Sequence, residues 1–358
     1  MASVFEHLDF DEHEKVVFAH DPKAGLRAII AVHSTSAGPA CGGVRFWHYE
    51  SDAAALTDAL RLSRGMSYKN VMAGLLLGGG KSVIMADAGR NKSRAMLHAF
   101  ARALDGLQGA YIAAEDVGIT TDDIAIMREV TPHVAGRADG AHASGDPSPF
   151  TAQGVFLGLK AAVRSGLGRS SLEGLRVGVQ GLGAVGMKLA RLLHEAGAHL
   201  VVADIDASRV REARKAFGAA GCAPDDLPLQ AIDVLSPCAL GGLLRAPVIE
   251  RLQARVVAGA ANNQLADPDC GRLLHEKGIL YAPDYVINAG GIINVTGEVA
   301  GAYDARAAAA AIERIPQTLT QIFEAARTSG RPTSEIADAI ARERLAALGK
   351  RAEVRSAA

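Results

Sequence analysis

The chain has 358 residues, 49% apolar and 22% charged, the composition of a globular protein long enough for two cores. Its formal net charge of -1 and pI near 6.8 give no basis for binding nucleic acid or an acidic membrane. Cys41, Cys222, Cys238 and Cys270 stand far apart with no C-x-x-C pair, which excludes a zinc knuckle or a dense disulfide framework.

Along the chain, the opening residues MASVFEHLDFDEHEK are acidic and lack a long apolar run. A signal peptide is therefore not expected, and the reading is a cytoplasmic protein with reduced thiols. No stretch offers about 20 uninterrupted apolar residues, so no membrane span is expected. VVFAHD, LRAIIAVHS, KSVIMAD and AYIAAED have the look of short buried strands, and AAALTDALRLSRGMSYKNVMAG carries apolar residues at helical spacing. GRADGAHASGDPSPFTAQG is rich in glycine, serine and proline and reads as a domain connection, followed by the helical run FTAQGVFLGLKAAVRS. A second cycle, LRVGVQGLGAVGMKLARLLHEAGAHLVVADID, has the length of one β-α-β unit. VVAGA and ILYAPDYVIN are further strand candidates, and a closing helix is expected from about Arg331. The histidines His133, His142 and His275 form no metal-ligand spacing, and no metal is expected.

Two glycine motifs compete for a nucleotide. GLLLGGGKS, Gly74 to Ser82, resembles a phosphate loop, but that loop needs a glycine at position 75, and this chain has Leu75. Gly181, Gly183 and Gly186 instead form G-x-G-x-x-G between the apolar strand RVGVQ and a helix. Such glycines allow a tight turn, close approach of backbone to pyrophosphate and close helix–strand packing. The helix N-terminus supplies unpaired N–H groups for the phosphates. Asp204 ends the next strand at the distance of an acid that binds the adenine ribose, which favours NAD over NADP, although Arg209 stands nearby.

With the nucleotide on the second half, the first half must supply the chemistry, and its candidates are Lys69, Lys81 and Asp116. A lysine behind three glycines is approached closely by backbone; poor solvation and a second cation would tune it as a general base.

GPACGGVRFW, GMSYKNVMAGLLLGGGKSVI, AAEDVG, GDPSPFTAQGV, VQGLGAVG, SPCALGG, VAGAANNQL and YAPDYVINAGGIINV together resemble the amino-acid dehydrogenases of the glutamate, leucine, phenylalanine and valine group. The resemblance covers nearly the whole chain, and ANNQL and APDYVINAGG look most like leucine dehydrogenases. It implies an α/β protein of two domains: an N-terminal substrate domain, residues 1–143 plus about 331–358, and a Rossmann dinucleotide-binding domain, residues 144–330. The C-terminal helix would return toward the first domain, with hinges near 140–150 and near 330. It also implies a homo-oligomer acting on an amino acid or its 2-oxo acid with ammonia.

By the same resemblance, Lys69 binds the substrate carboxylate, helped by the backbone of Gly42 and Gly43 and by Asn262. Lys81 is the general base, and Asp116 exchanges protons with the amino group. Gly181, Gly183, Gly186 and Asp204 hold the dinucleotide, and Thr151, Ala239, Asn262 and Asn288 surround its nicotinamide and ribose. Glutamate enzymes of the group carry a lysine where this chain has Cys41 and a serine where it has Val295. A buried side-chain carboxylate would then lack partners, so a hydrophobic amino acid is expected. Cys41, Met66, Leu77, Ala114, Ile292 and Val295 are the expected apolar pocket. Leucine and other branched-chain acids come first, phenylalanine second. An inactive dinucleotide-binding sensor would be the reading of another class; Lys69, Lys81 and Asp116 are all present and speak against it.

Overall fold

The computed structural model describes residues 3–86, 92–136 and 143–356, except for the side chains of 351–356. His142 and the start of the expected hinge, 140–142, lie outside the described residues. The chain forms two compact units. One comprises Met1–Asp146, Val295–Asp304 and Ala341–Ala358; the other comprises Pro147–Asn294 and Ala305–Ile340. The expected division at 143/144 did not include the return of 295–304 to the first unit. It also gave the closing helix, Thr333–Ser356, wholly to that unit, whereas its residues up to 340 belong to the second.

The first unit is built on strands β1 (Lys15–Asp21), β2 (Leu26–Ser34), β3 (Ala40–Trp47), β4 (Gly78–Met85) and β5 (Tyr111–Glu115). Their order is β1-β2-β4-β3-β5, with β2 antiparallel to β1 and β4, and β3 parallel to β4 and β5. The helix Asp52–Met72, started by the Ser51 side chain accepting the Ala54 N–H, lays Ala55, Ala59 and Leu60 on Ile29, Ala31 and Val83. The opposite sheet face packs Ile30, Val44 and Ile84 against Phe100 and Ile124 of the helices Arg94–Asp105 and Thr121–Arg128. Each such large side chain contributes about 1.5–3 kcal/mol when fully buried.

GLLLGGGKS is thus no phosphate loop: after the connection 74–77 its three glycines open a central strand that runs on to Met85, and Lys81 and Ser82 lie inside that strand, not at the start of a helix. Glycine inside a strand marks a place where something comes too close for a side chain. A Cβ at Gly79 would stand 2.1 Å from the Ser67 nitrogen, so the helix backbone rests directly on the strand. On the other face a Cβ at Gly80 would stand 2.5 Å from the Tyr111 ring.

The seat of that helix is completed by buried histidines. His33 on β2 hydrogen-bonds Ser67 Oγ at 2.8 Å. His13 stacks edge-on against it, donating from Nε2 to the Leu60 carbonyl while Nδ1 accepts the Asp11 N–H.

The second unit holds β6 (Arg176–Gln180), β7 (His199–Ala203), β8 (Ala220–Gly221), β9 (Val234–Pro237), β10 (Val256–Val257) and β11 (Leu280–Tyr281), all parallel. The order β11-β10-β9-β6-β7-β8, read from the other edge, is third, second, first, fourth, fifth, sixth. That is the doubly wound Rossmann order, with its switch point between β6 and β9. ILYAPDYVIN is strand only over Leu280–Tyr281; Pro283 has no N–H for the ladder, and the chain turns into the short helix Asp284–Ile287. Among the described residues no helix is long and apolar enough to cross a membrane.

Burial, reinforced by His33, pushes the His13 imidazole down from its ordinary 6.5 to about 4. The unfolded chain therefore takes the proton first, and stability is lost as pH falls from 6.5 toward 4. This one group should remove about 3 kcal/mol over that window. Denaturant titrations should show a flatter pH profile for His13→Gln than for the wild type.

Candidate active site

β3 and β4 run parallel with Cys41 opposite Gly79 and Val44 opposite Ser82, while β5 sets Ala114 beside Gly43. Side chains alternate across a sheet, so Lys81 shares the face of Gly79 and Val83, the face covered by the helix that carries Met66 and Lys69. Lys81 is 5% exposed, and its Nζ hydrogen-bonds the Asp116 carboxylate just beyond the end of β5. The space for this pair is made at Gly43. A Cβ there would stand 2.6 Å from the Asp116 Cβ and 3.0 Å from Lys81 Nζ. Burial alone would push the Asp116 carboxyl up; the Lys81 ammonium and the Arg45 guanidinium outweigh it and hold the pKa at about 2.

Arg45 is the residue that the sequence reading missed. Its Nε lies 3.5 Å from Asp116 Oδ2, and its Nη1 donates to Asp58 at 2.8 Å. Asp58 also accepts the Tyr49 hydroxyl at 2.6 Å. The signal was present in GPACGGVRFW: Arg45 follows Gly43 by two and so faces the same side of a strand, but that segment was not read as a strand.

Cys41 is fully buried, and burial pushes its thiol up to about 12. Ala114 and Val295 are also buried, while Met66 and Lys69 are partly exposed. Leu77 is buried beside Gly38 at the approach to β4, whereas Leu76 is 74% exposed. The first unit therefore brings together Lys81, Asp116, Gly43, Gly42, Met66 and Cys41 through these contacts. Ile292 and Asn262 belong to the second unit.

In the second unit, Gly181 turns the chain with φ +94°, and a Cβ on it would collide with Ala239 at under 3 Å. Gly183 is the N-cap of the helix Ala184–Glu195, with no side chain occupying the first amides and open space where its own side chain would be. Asp204 accepts the Leu182 N–H at 2.6 Å and the Asp206 N–H at 2.8 Å, with Arg209 Nη1 3.8 Å away. Asn288 donates to the Ala260 carbonyl and to Asn262 Oδ1, and its own Oδ1 is buried with no hydrogen-bond partner. Thr151 donates to the Pro147 carbonyl and lies where a side chain on Gly291 would be. An open helix terminus, a glycine turn and a lone buried acceptor fit a dinucleotide.

Comparison with known proteins agrees with both halves. The family model "Glu/Leu/Phe/Val dehydrogenase, dimerisation domain" matches residues 13–133, and "Glutamate/Leucine/Phenylalanine/Valine dehydrogenase" matches residues 204–351. The chain is 47% identical to leucine dehydrogenase of Bacillus subtilis over 342 residues, 96% of this chain and 94% of that one. It is 42% identical to valine dehydrogenase of Streptomyces coelicolor, over 95% of this chain and 94% of that one. The crystal structure of L-tryptophan dehydrogenase from Nostoc punctiforme superposes with a TM-score of 0.79 at 44% identity, covering 95% of this chain and 97% of that one.

The depressed Asp116 carboxyl contributes stability above its ordinary 3.8, which is lost as pH falls through about 2. Asp116→Asn should therefore cost about 2 kcal/mol at neutral pH. The gap between variant and wild type should close between pH 4 and 2 when both are followed by denaturant unfolding.

Proposed function

We propose that this chain, which belongs to the glutamate/leucine/phenylalanine/valine dehydrogenase family, oxidatively deaminates L-leucine and other branched-chain amino acids with NAD. It is an amino-acid dehydrogenase acting on CH–NH2 donors, with a hydrophobic amino acid as substrate and a nicotinamide dinucleotide as cofactor. The observation that carries the finer reading is the buried Lys81–Asp116 pair, opened to one side by Gly43 and walled by the uncharged Cys41.

The reaction takes amino acid, NAD+ and water to 2-oxo acid, ammonium, NADH and a proton. The α-carboxylate is held by Lys69 and the N–H groups at Gly42 and Gly43. Asp116 takes a proton from the α-ammonium, so that the nitrogen lone pair can expel the Cα hydrogen as hydride. The bound dinucleotide supplies the hydride acceptor. Lys81, once its own proton has passed to solvent, removes a proton from the water that adds to the iminium carbon. Asp116 returns one to the nitrogen, which departs and takes up the hydroxyl proton as ammonium while the 2-oxo group forms. Gly181, Gly183, Gly186 and Asp204 would hold the dinucleotide, with Thr151, Ala239, Asn262 and Asn288 about its nicotinamide end. The Asp204 carboxylate favours ribose hydroxyls over a 2′-phosphate, hence NAD.

Cys41 and Val295 offer no cation to a side-chain carboxylate, which argues against glutamate. A second reading, an aromatic amino acid such as phenylalanine, is favoured by the small Cys41 side chain at the pocket wall. The dimerisation-domain match supports a homo-oligomer, and the free cysteines support a reducing cytoplasmic setting.

A panel of L-amino acids assayed with NAD and NADP should place leucine, isoleucine and valine highest in kcat/KM, with glutamate at least about a hundredfold lower. Glutamate at parity with leucine would refute the pocket. Lys81→Ala should lose about 10²–10⁴-fold in turnover while remaining folded. Turnover near the wild-type value would remove Lys81 as the base.

A further inference from the structure

One fully buried hydroxyl lies beneath the proposed carboxylate seat and takes no part in the chemistry above. Tyr111 on β5 packs its ring into the core on the face opposite Lys81, in the room left by Gly80. Its hydroxyl is 2.9 Å from the Gly42 carbonyl oxygen, 3.2 Å from the Gly43 carbonyl oxygen and 3.1 Å from Ser82 Oγ. Carbonyls of successive residues in a regular strand point in opposite directions, so one hydroxyl cannot reach both unless the peptide has left the pleat. The strand pairing agrees on one edge: β3 pairs with β4 at Cys41 and again at Val44, skipping Gly42 and Gly43, which keep their pairing with Ala113 and Ala114 of β5. Burial pushes the Tyr111 hydroxyl pKa up, so it stays protonated and donates. Its single hydrogen goes to the two carbonyls, which makes Ser82 the donor to the Tyr111 oxygen.

A trans peptide points its C=O and its N–H in opposite directions. The Gly42 carbonyl and the Gly43 N–H belong to one peptide. Anchoring that carbonyl from below therefore aims the Gly43 N–H at the face where Lys81 and Asp116 stand.

We propose that Tyr111 is a positioning residue for substrate: its hydroxyl holds the Gly42–Gly43 peptide out of the β3–β4 ladder while the segment stays paired with β5, so that the Gly43 N–H is presented to the substrate α-carboxylate. The inference rests on the amino-acid dehydrogenase reading, in which Gly42, Gly43 and Lys69 bind that carboxylate. Tyr111 touches no substrate atom and acts through the backbone.

Tyr111→Phe keeps the ring and removes the anchor. Displacing a binding group by about 1 Å costs on the order of a hundredfold, so the KM for L-leucine and the Ki of 4-methylpentanoate should rise about ten- to a hundredfold. The KM for NAD and the Ki of 3-methylbutylamine, which lacks a carboxylate, should stay within about twofold of wild type. Unchanged leucine KM and 4-methylpentanoate Ki in a folded variant overturn the proposal, as does an equal loss of affinity for the amine. Should Tyr111→Phe fail to fold, Ser82→Ala removes only the donor to the Tyr111 oxygen and should raise the 4-methylpentanoate Ki selectively; no change there overturns the proposal. A wild-type enzyme inert toward every apolar amino acid would refute the enzymatic reading instead. A crystal structure of Tyr111→Phe then decides the inference alone: Gly42 and Gly43 back in register with β4 support it, and an undisturbed segment overturns it.

Discussion

Lys81 and Asp116 carry opposite charges inside a sheet–helix layer, and removing both from water costs on the order of several kcal/mol per ion. Such a pair survives only when its geometry is good and its remaining hydrogen-bonding capacity is met. The surrounding architecture follows from that demand. Gly43 gives up its side chain to make room, and Arg45 adds a second cation beside Asp116. Arg45 is itself held by Asp58, which is held by Tyr49. Glycines at 79 and 80 let a helix backbone and an aromatic ring press on the same strand from opposite faces. Packing this close leaves the charge pair little room to rearrange.

Much of this was legible in the residues, and the gaps have physical causes. β2 and the helix Asp52–Met72 follow their apolar periodicity almost to the residue. Lys81, Asp116 and the G-x-G-x-x-G turn stood out because their residue types are rare in those settings. β3 escaped because paired glycines lower strand propensity, and with it Arg45 and the role of Tyr111 escaped too. A tyrosine beneath a sheet has no local signature: its partners, Gly42 and Gly43, lie almost 70 residues earlier in the chain. Contacts of that range come from topology, which periodicity alone does not report.

The second unit was easier in its first half than in its second. β6 and β7 are flanked by a glycine motif and a regular helix, and their boundaries follow. β10 and β11 lie inside the expected strands VVAGA and ILYAPDYVIN but are only two residues each, bounded by what their neighbours pair with, and β8 and β9 were not expected at all. Asn288 was placed near the nicotinamide by resemblance; its buried unpaired oxygen is a physical property that no sequence pattern carries.

Neither unit is one continuous stretch of chain: the path passes between them at 146/147, 294/295, 304/305 and 340/341. During synthesis, the N-terminal 146 residues therefore leave the ribosome well before their unit is complete, the reverse of the usual domain-by-domain order. The segment from Ala341 onward, which belongs to that first unit, brings Arg342, which donates to the Tyr68 hydroxyl, and Arg344, which donates to the Val71 and Met72 carbonyls at the end of the helix bearing Lys69. A nascent or truncated chain lacks the cations that close this helix. Closure of the helix that bears Lys69 thus waits on residues more than 270 positions further along the chain.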